Sequence, residues 1–377
     1  MRGAERSFAA IADCWPRAPI YTLLFDPRGT EGRFNGRRVE TSYLQRLRVR
    51  QSGFRKLLPF FPRAVRSLDV SDYDLVVSSS SAFAHGVRPR PGATHISYCY
   101  TPFRYAWQEG DRVAKHLPRP LRPAAHGALG RLREWDRRAS LGVTHYVTIS
   151  ELSRERIREC YGRDATIVHP PVEVDRFSIG EPEDFFLVVA ELVPHKLVDH
   201  AAEAARRAGQ PIKIVGGGPS TKQLARDYGS SAEFLGRISD SELASLYSRA
   251  KALVVPNVEE FGIAAVEAQA AGRPVLAARG GGVQTTVIDG ETGVLVAPND
   301  VDALAEAMRE TDWDGFDPAG ISRHAQSFST AAFRRRFEQE VARLTGLGGQ
   351  AEAGVGCLKP RLNVSLGPDT RSRRGLS

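Results

Sequence analysis

Short runs of apolar residues recur along this chain and alternate with longer stretches of mixed polarity. In the first half the runs are IYTLLF (20–25), YDLVVSS (73–79), THISYC (94–99) and THYVTIS (144–150). In the second half they are FFLVVA (185–190), IKIVG (212–216), AEFLG (232–236), ALVVP (252–256), RPVLAA (273–278) and TGVLVA (292–297). Strands covered on both faces are apolar throughout, so these continuous runs predict parallel sheets flanked by helices. The stretches between them predict helices near 197–208, 220–228, 240–249, 262–271, 300–310 and 321–345. Ser239 and Glu242 have the spacing of a capping box at the start of one of these. Strand–helix alternation on both sides of residue 180 gives an α/β chain with two doubly wound sheets.

The segment HPPVEVDRFSIGEPED (169–184) interrupts the alternation with prolines and reads as a linker. It predicts one domain over 1–178 and a second over 179–320, with a helix at 321–345. The tail from Gly346 is rich in Gly, Arg and Ser, poor in aromatics, and expected to be disordered. The first half has one gap. A doubly wound nucleotide-binding sheet is built around a central first strand, yet no apolar run precedes the apparent helix that opens at Gly3-Ala4-Glu5-Arg6. A sheet without that strand leaves a slot lined by unpaired backbone groups. The expectation is that the first domain lacks its first strand and that the natural start lies upstream.

Composition adds limits. At roughly 150 residues per domain, 377 residues fit two domains, and 42% apolar with 25% charged residues is ordinary for a globular protein. No apolar run approaches the roughly 20 residues that span a bilayer, and no secretory leader is visible at the start. Cys14, Cys99, Cys160 and Cys357 are scattered, so neither a zinc site nor a disulfide framework is expected, and a cytoplasmic setting fits. The net charge is +8. Between residues 46 and 66 Arg46, Arg48, Arg50, Arg55, Lys56, Arg63 and Arg66 alternate with Phe54, Leu57, Leu58, Phe60 and Phe61, with no acidic residue. That mixture suits the headgroup region of an anionic membrane. No nucleic-acid-binding module accompanies it, so nucleic acid is not an expected partner.

The strongest chemical signal is Glu259-Glu260-Phe261-Gly262-Ile263-Ala264-Ala265-Val266-Glu267, which follows the run ALVVP and opens a helix. If the segment is mostly helical, eight steps place Glu259 and Glu267 about 12 Å apart, close to the reach from a donor's hexose to its ribose. Carboxylates accept paired hydrogen bonds from vicinal hydroxyls, and the helix start at Phe261–Ile263 offers N–H groups to an anion. Taken alone, the spacing fits an exposed helix with two glutamates better. The neighbouring elements reverse that preference. Gly216-Gly217-Gly218-Pro219 and Gly280-Gly281-Gly282 each follow a strand, where glycine allows either close approach of a ligand or merely a tight turn. Lys196, after the first strand of the second half, can offset diphosphate charge.

In this order, Lys196, GGGP, FLGRIS-D-ELASLY, the paired glutamates, AAGRPV and GGG resemble the donor domain of family 4 glycosyltransferases with the GT-B fold, two facing Rossmann-like domains. Gly3-Ala4-Glu5-Arg6 and Cys99-Tyr100-Thr101-Pro102-Phe103-Arg104-Tyr105-Ala106-Trp107 resemble that family's mannosyltransferase-like branch. The resemblance implies a retaining hexosyltransferase acting in a cleft, with no metal or other cofactor. Glu259 would contact the transferred hexose and Lys196 the leaving diphosphate. Glu267 would bind the ribose, and Phe261, Gly262 and Ile263 would present backbone to sugar and phosphate. Gly217 and Gly218 would line the nucleotide pocket. Gly3 would approach the diphosphate from the first domain, and Tyr100 and Arg104 would face the acceptor. The helix at 321–345 would cross back to the first domain. The implied partners are a nucleotide-sugar donor, with GDP-mannose favoured, and a saccharide or lipid-linked acceptor. A UDP-hexose donor and a non-catalytic carbohydrate or nucleotide binder are the alternatives.

Three positions depart from the family pattern. Glu191 stands where an arginine is usual, five residues before Lys196; Tyr100 replaces a common histidine; Thr285 replaces a glutamate. A carboxylate at 191 repels a diphosphate unless it turns away.

Overall fold

The computed structural model describes residues 3–47, 57–110, 118–346 and 362–365, the last stretch through its backbone. The chain forms two compact units, residues 1–149, 153–168 and 334–377 on one side of the division and 150–152 and 169–333 on the other. Of the basic cluster, Arg48, Arg50, Phe54, Arg55 and Lys56 lie outside the described residues.

The first unit contributes β1 (Ile20–Thr22), β2 (Val39–Thr41), β3 (Leu75–Ser80), β4 (Thr94–Cys99), β5 (His145–Thr148) and β6 (Ala165–Ile167). The second contributes β7 (Phe186–Val189), β8 (Ile212–Val215), β9 (Glu233–Gly236), β10 (Ala252–Val255), β11 (Val275–Ala278) and β12 (Gly293–Val296). The second sheet runs β12-β11-β10-β7-β8-β9, and each pairing is parallel. Alternate residues of its strands serve opposite faces, as the pleat requires. Phe186, Val188, Val254 and Leu276 join one core beneath the helices Val198–Ala208 and Val301–Glu310. Leu187, Leu253, Val255 and Val275 join another beneath Asp240–Arg249 and Ile263–Ala270. Burial on both faces explains why these strands read as unbroken apolar runs. The capping box forms as expected: Glu242 N–H donates to Ser239 Oγ at 3.2 Å and Ser239 N–H to Glu242 Oε2 at 2.8 Å.

The first sheet also contains β13 (Leu362–Ser365), and its order is β2-β1-β13-β3-β4-β5-β6. β13 lies parallel between β1 and β3, with Tyr21 opposite Val364 and Val364 opposite Ser78. The tail was expected to lack structure; this part of it is a strand. The physical reason lies in the slot itself. Unpaired donors and acceptors on the facing edges of β1 and β3 are costly once buried, and four residues from the tail satisfy them. No strand precedes the helix Gly3–Cys14 among the described residues.

The unit boundary differs from residue 178. Residues 169–178 pack within the second unit: Val172 N–H bonds Phe328 O at 2.9 Å, and the Phe177 ring meets Tyr247 edge-on at 5.5 Å. The expected single helix at 321–345 is two, Pro318–Gln326 and Thr330–Thr345. Beyond Phe333 the second of these belongs to the first unit, where Phe337 packs edge-on against Trp15 and Tyr98 at 6.0 and 5.6 Å. No described helix is long and apolar enough to cross a membrane.

Candidate functional site

In the second sheet the chain order changes direction between β7 and β10, which are neighbours. Loops leaving adjacent strands at such a switch diverge to opposite faces and open a crevice at the carboxyl edge. Lys196 follows β7 in a short 3-10 turn, Pro194–Lys196. Glu259 follows β10. Across this switch Lys196 Nζ meets Glu259 Oε1 at 2.5 Å, and Asn257 Nδ2 donates to the same oxygen at 3.2 Å. Both charged side chains are about a quarter exposed, at 24% and 22%. The fold therefore joins two candidates 63 residues apart and adds a third group, Asn257, that sequence reasoning missed. Its signal was its place two residues past the strand end and two before Glu259.

The segment after Glu259 is less helical than the 12 Å estimate assumed, because the helix begins only at Ile263. Glu259 instead pairs as an isolated β-bridge with Gly281, and Gly282 N–H bonds its carbonyl at 2.7 Å. Side chains at Gly281 and Gly282 would run into the backbone of Glu259 and Phe261. That contact, between two stretches of backbone, requires glycine at 281 and 282, while Gly280 faces the Val258 side chain at φ +144°. Gly262 takes φ +88° and turns the chain into the helix Ile263–Ala270. Phe261 is 3% exposed and stacks on His169 at 5.7 Å, so its side chain anchors the turn. The first N–H groups of a helix have no intrahelical acceptor, and here they belong to the turn that follows Glu259.

Glu267 lies one turn farther along and is half-buried. Tyr247, on the preceding helix Asp240–Arg249, donates from its hydroxyl to Glu267 Oε2 at 2.9 Å. Burial raises the Tyr247 phenol well above its ordinary pKa. In the loop after β8, side chains at Gly216 and Gly218 would strike the carbonyls of Ala190 and Leu192 on the chain leaving β7. Gly217 has ordinary clearance: an added Cβ would meet the Arg237 side chain at 3.7 Å. The triad thus mixes two kinds of glycine, two packed against backbone and one beside a guanidinium. Glu191 is exposed.

The first unit gathers Tyr100 and the helix that starts at Gly3. Tyr100 OH donates to Ala4 O at 3.0 Å and lies 2.9 Å from Ser79 Oγ. Burial pushes its phenol well above the ordinary value, which opposes any role as a proton acceptor. Arg104 begins the short helix Arg104–Trp107, and its carbonyl receives Gln108 N–H at 2.8 Å. That helix is tied down at its far end: Trp107 Nε1 donates to Asp136 Oδ2 at 2.7 Å, and Tyr161 OH to the same oxygen at 2.8 Å. His85 Nε2 lies 3.2 Å from Asp136 Oδ1. Asp136 is fully buried, so the cluster holds a carboxylate away from water by direct bonds. Nothing in the spacing of His85, Trp107, Asp136 and Tyr161 revealed it. Among the described residues, no three or more His, Cys, Asp or Glu side chains are grouped to hold a metal ion.

Two family models together match residues 1–314. Residues 1–176 match "Glycosyltransferase Family 4" and residues 171–314 match "Glycosyl transferases group 1". A D-inositol 3-phosphate glycosyltransferase of Frankia alni is 33% identical over 233 residues, 52% of this chain and 57% of the relative. That of Mycobacterium avium is 37% identical over 166 residues, 38% of this chain and 39% of the relative. The chain thus spans about half the length of the curated relatives it matches. Among solved structures, sucrose-phosphate synthase from Thermosynechococcus elongatus superposes with a TM-score of 0.64 at 20% identity, covering 91% of this chain and 92% of the other. HepE of Anabaena, in complex with UDP and glucose, gives 0.62 at 16% identity, covering 91% and 96%. At such identities the likeness is one of fold.

Proposed function

The chain belongs to glycosyltransferase family 4, with the GT-B fold, and from that premise we propose that it is a retaining hexosyltransferase using a nucleotide-sugar donor held at the carboxyl edge of the second sheet. The observation that carries the reading is the Lys196–Glu259 pair, braced by Asn257 at the switch between β7 and β10. A donor's diphosphate competes with Glu259 for the ammonium. Once Lys196 turns to the leaving diphosphate it neutralises charge that grows as the glycosidic bond breaks. Glu259, still held by Asn257, then accepts from hydroxyls of the hexose. Phe261, Gly262 and Ile263 supply the helix start to the phosphates, and Glu267 takes the ribose diol.

Mannose from GDP-mannose is the favoured donor, on the resemblance of residues 99–107 to the mannosyltransferase-like branch. The proposed acceptor is a saccharide or lipid-linked saccharide of cell-surface polysaccharide or glycolipid synthesis, met by Gly3, Tyr100 and Arg104. The protein would work in the cytoplasm without a metal, so turnover should survive EDTA. Membrane attachment through residues 46–66 is supported by Leu47 and Phe60, which are 57% and 53% exposed beside the exposed Arg46, Arg63 and Arg66. Phe61, by contrast, is buried and belongs to the core. Replacing Arg46, Arg63 and Arg66 with Ser should weaken sedimentation with anionic liposomes, and unchanged sedimentation would remove the membrane from the proposal.

A second reading, nucleotide-sugar binding without transfer, rests on Glu191 in the place of an arginine beside the diphosphate position. A donor panel separates the two. Transfer or slow hydrolysis of GDP-mannose above that of UDP-glucose supports the first reading with its favoured donor, and the reverse preference supports the UDP-hexose alternative. Tight binding of a donor with no turnover of any supports the second.

A further inference from the structure

The Tyr247–Glu267 contact joins a residue of the proposed donor site to one that neither spacing nor resemblance assigned. Tyr247 is fully buried. Its ring is fixed by packing: Phe177 meets it edge-on at 5.5 Å, and Leu246 and Ala265 belong to the same core. The capping box at Ser239 sets the start, and so the phase, of the helix that carries it. The hydroxyl is thus held in one place by a rigid ring, and a carboxylate can only accept from it. Glu267 stands on a helix whose neighbours Ala265, Val266 and Ala268 are buried, and it is only half-buried itself. One of its oxygens is tied inward to a phenol while the residue still reaches the surface.

We infer that Tyr247 is the positioning residue of the ribose subsite: by occupying Glu267 Oε2 at 2.9 Å it fixes the plane of the carboxylate in which a vicinal diol is received. This rests on the donor reading given above. A freely rotating carboxylate loses side-chain entropy on binding a diol, and one whose rotation is already stopped loses less. Burial keeps the phenol protonated, so it remains a donor through the neutral range.

The test is a comparison of ligands, not of variants alone. Wild type, Tyr247→Phe and Glu267→Gln are titrated calorimetrically with GDP and with UDP, and the tighter of the two is compared with its 2′,3′-dideoxy form. In wild type, loss of the two hydroxyls should weaken binding at least tenfold, the size of a charge-assisted hydrogen bond. In Tyr247→Phe the ribo form should weaken by about fivefold and the dideoxy form hardly at all, so the ratio between them shrinks. A residue that merely supports the fold weakens both forms alike, and that result overturns the inference. An unchanged ratio in Tyr247→Phe beside a collapsed ratio in Glu267→Gln also overturns it, while leaving the donor reading intact. An unchanged ratio in Glu267→Gln removes the donor reading and the inference with it. If the Phe variant does not fold, 3-fluorotyrosine at position 247 serves in its place. Its fluorine resonance should move with the ribo form and not with the dideoxy form, and equal movement with both overturns the inference.

Discussion

The two sheets are alike in being parallel throughout, and they differ in how far the chain must travel to build them. The second takes its strands from residues 186–296. Its candidate groups touch directly, Lys196 against Glu259 on loops that leave adjacent strands and Tyr247 against Glu267 between two helices. The first spans residues 20–365 and holds in its interior, between β1 and β3, a strand drawn from the far end of the described chain. Its candidate Tyr100 bonds Ser79 and Ala4, and the helix that starts at Arg104 is tied through Trp107 to the buried Asp136. Where a sheet closes locally, the same short segments make both the fold and the site. Where it closes from afar, the site depends on residues that no short segment reveals.

That contrast sets out where each half should be vulnerable. The largest effect should follow Asp136→Ala, which leaves the Trp107 indole and the Tyr161 hydroxyl without their shared acceptor and removes the carboxylate beside His85. A cost of about 3–5 kcal/mol is expected, from roughly 1–3 kcal/mol for each donor left unpaired and from the cavity. Hydrogen exchange should then accelerate in β3–β5 and not in β7–β12; equal acceleration in both units would erase the distinction. Next comes Glu259→Gln, expected to lower turnover roughly 10²–10³-fold, the effect of losing a pre-organised electrostatic contact, with GDP affinity in calorimetry kept or raised, since the diphosphate no longer competes with a carboxylate for Lys196. A fall confined to KM would move Glu259 from the reacting sugar to simple binding.

The glycine loop after β8 provides a sharper internal pair. Gly216→Ala should cost roughly 2–4 kcal/mol in denaturant unfolding, since it adds a clash with the Ala190 carbonyl to a φ of +131°. Gly217→Ala should stay within about 0.5 kcal/mol and show itself in nucleotide affinity instead. A smaller stability effect than that of Gly216→Ala should come from Val364→Pro, which removes one ladder donor from β13 at roughly 1–3 kcal/mol. It should loosen β1 and β3 while the second unit's exchange stays as it was; unchanged protection of β1 and β3 would mean that β13 does not hold the first sheet together.

Much of the second unit was legible beforehand. Runs such as ALVV and VLAA are apolar because both faces of their strands are covered, so composition alone marks them as β10 and β11. The capping box was legible because it is satisfied within four residues. Less legible was β2, whose half-buried VET offers no continuous run, and β6, with its three residues. The region around Phe328 looked like part of one helix because nothing local showed that Val172 would bond its carbonyl.

The sequence by itself determined the parallel α/β architecture, the order of the loops along the second sheet, and the presence of a carboxylate pair beside a helix start. Those features follow from burial of both strand faces and from residues only a few positions apart. The tertiary structure alone decided which groups meet: Lys196 with Glu259, Tyr247 with Glu267, His85, Trp107 and Tyr161 with Asp136, and Leu362–Ser365 with the strands on either side of it. Each of these contacts joins residues 20 or more positions apart. Its free energy comes from pairing groups that burial would otherwise strand, and local sequence carries no record of where such a partner will arrive.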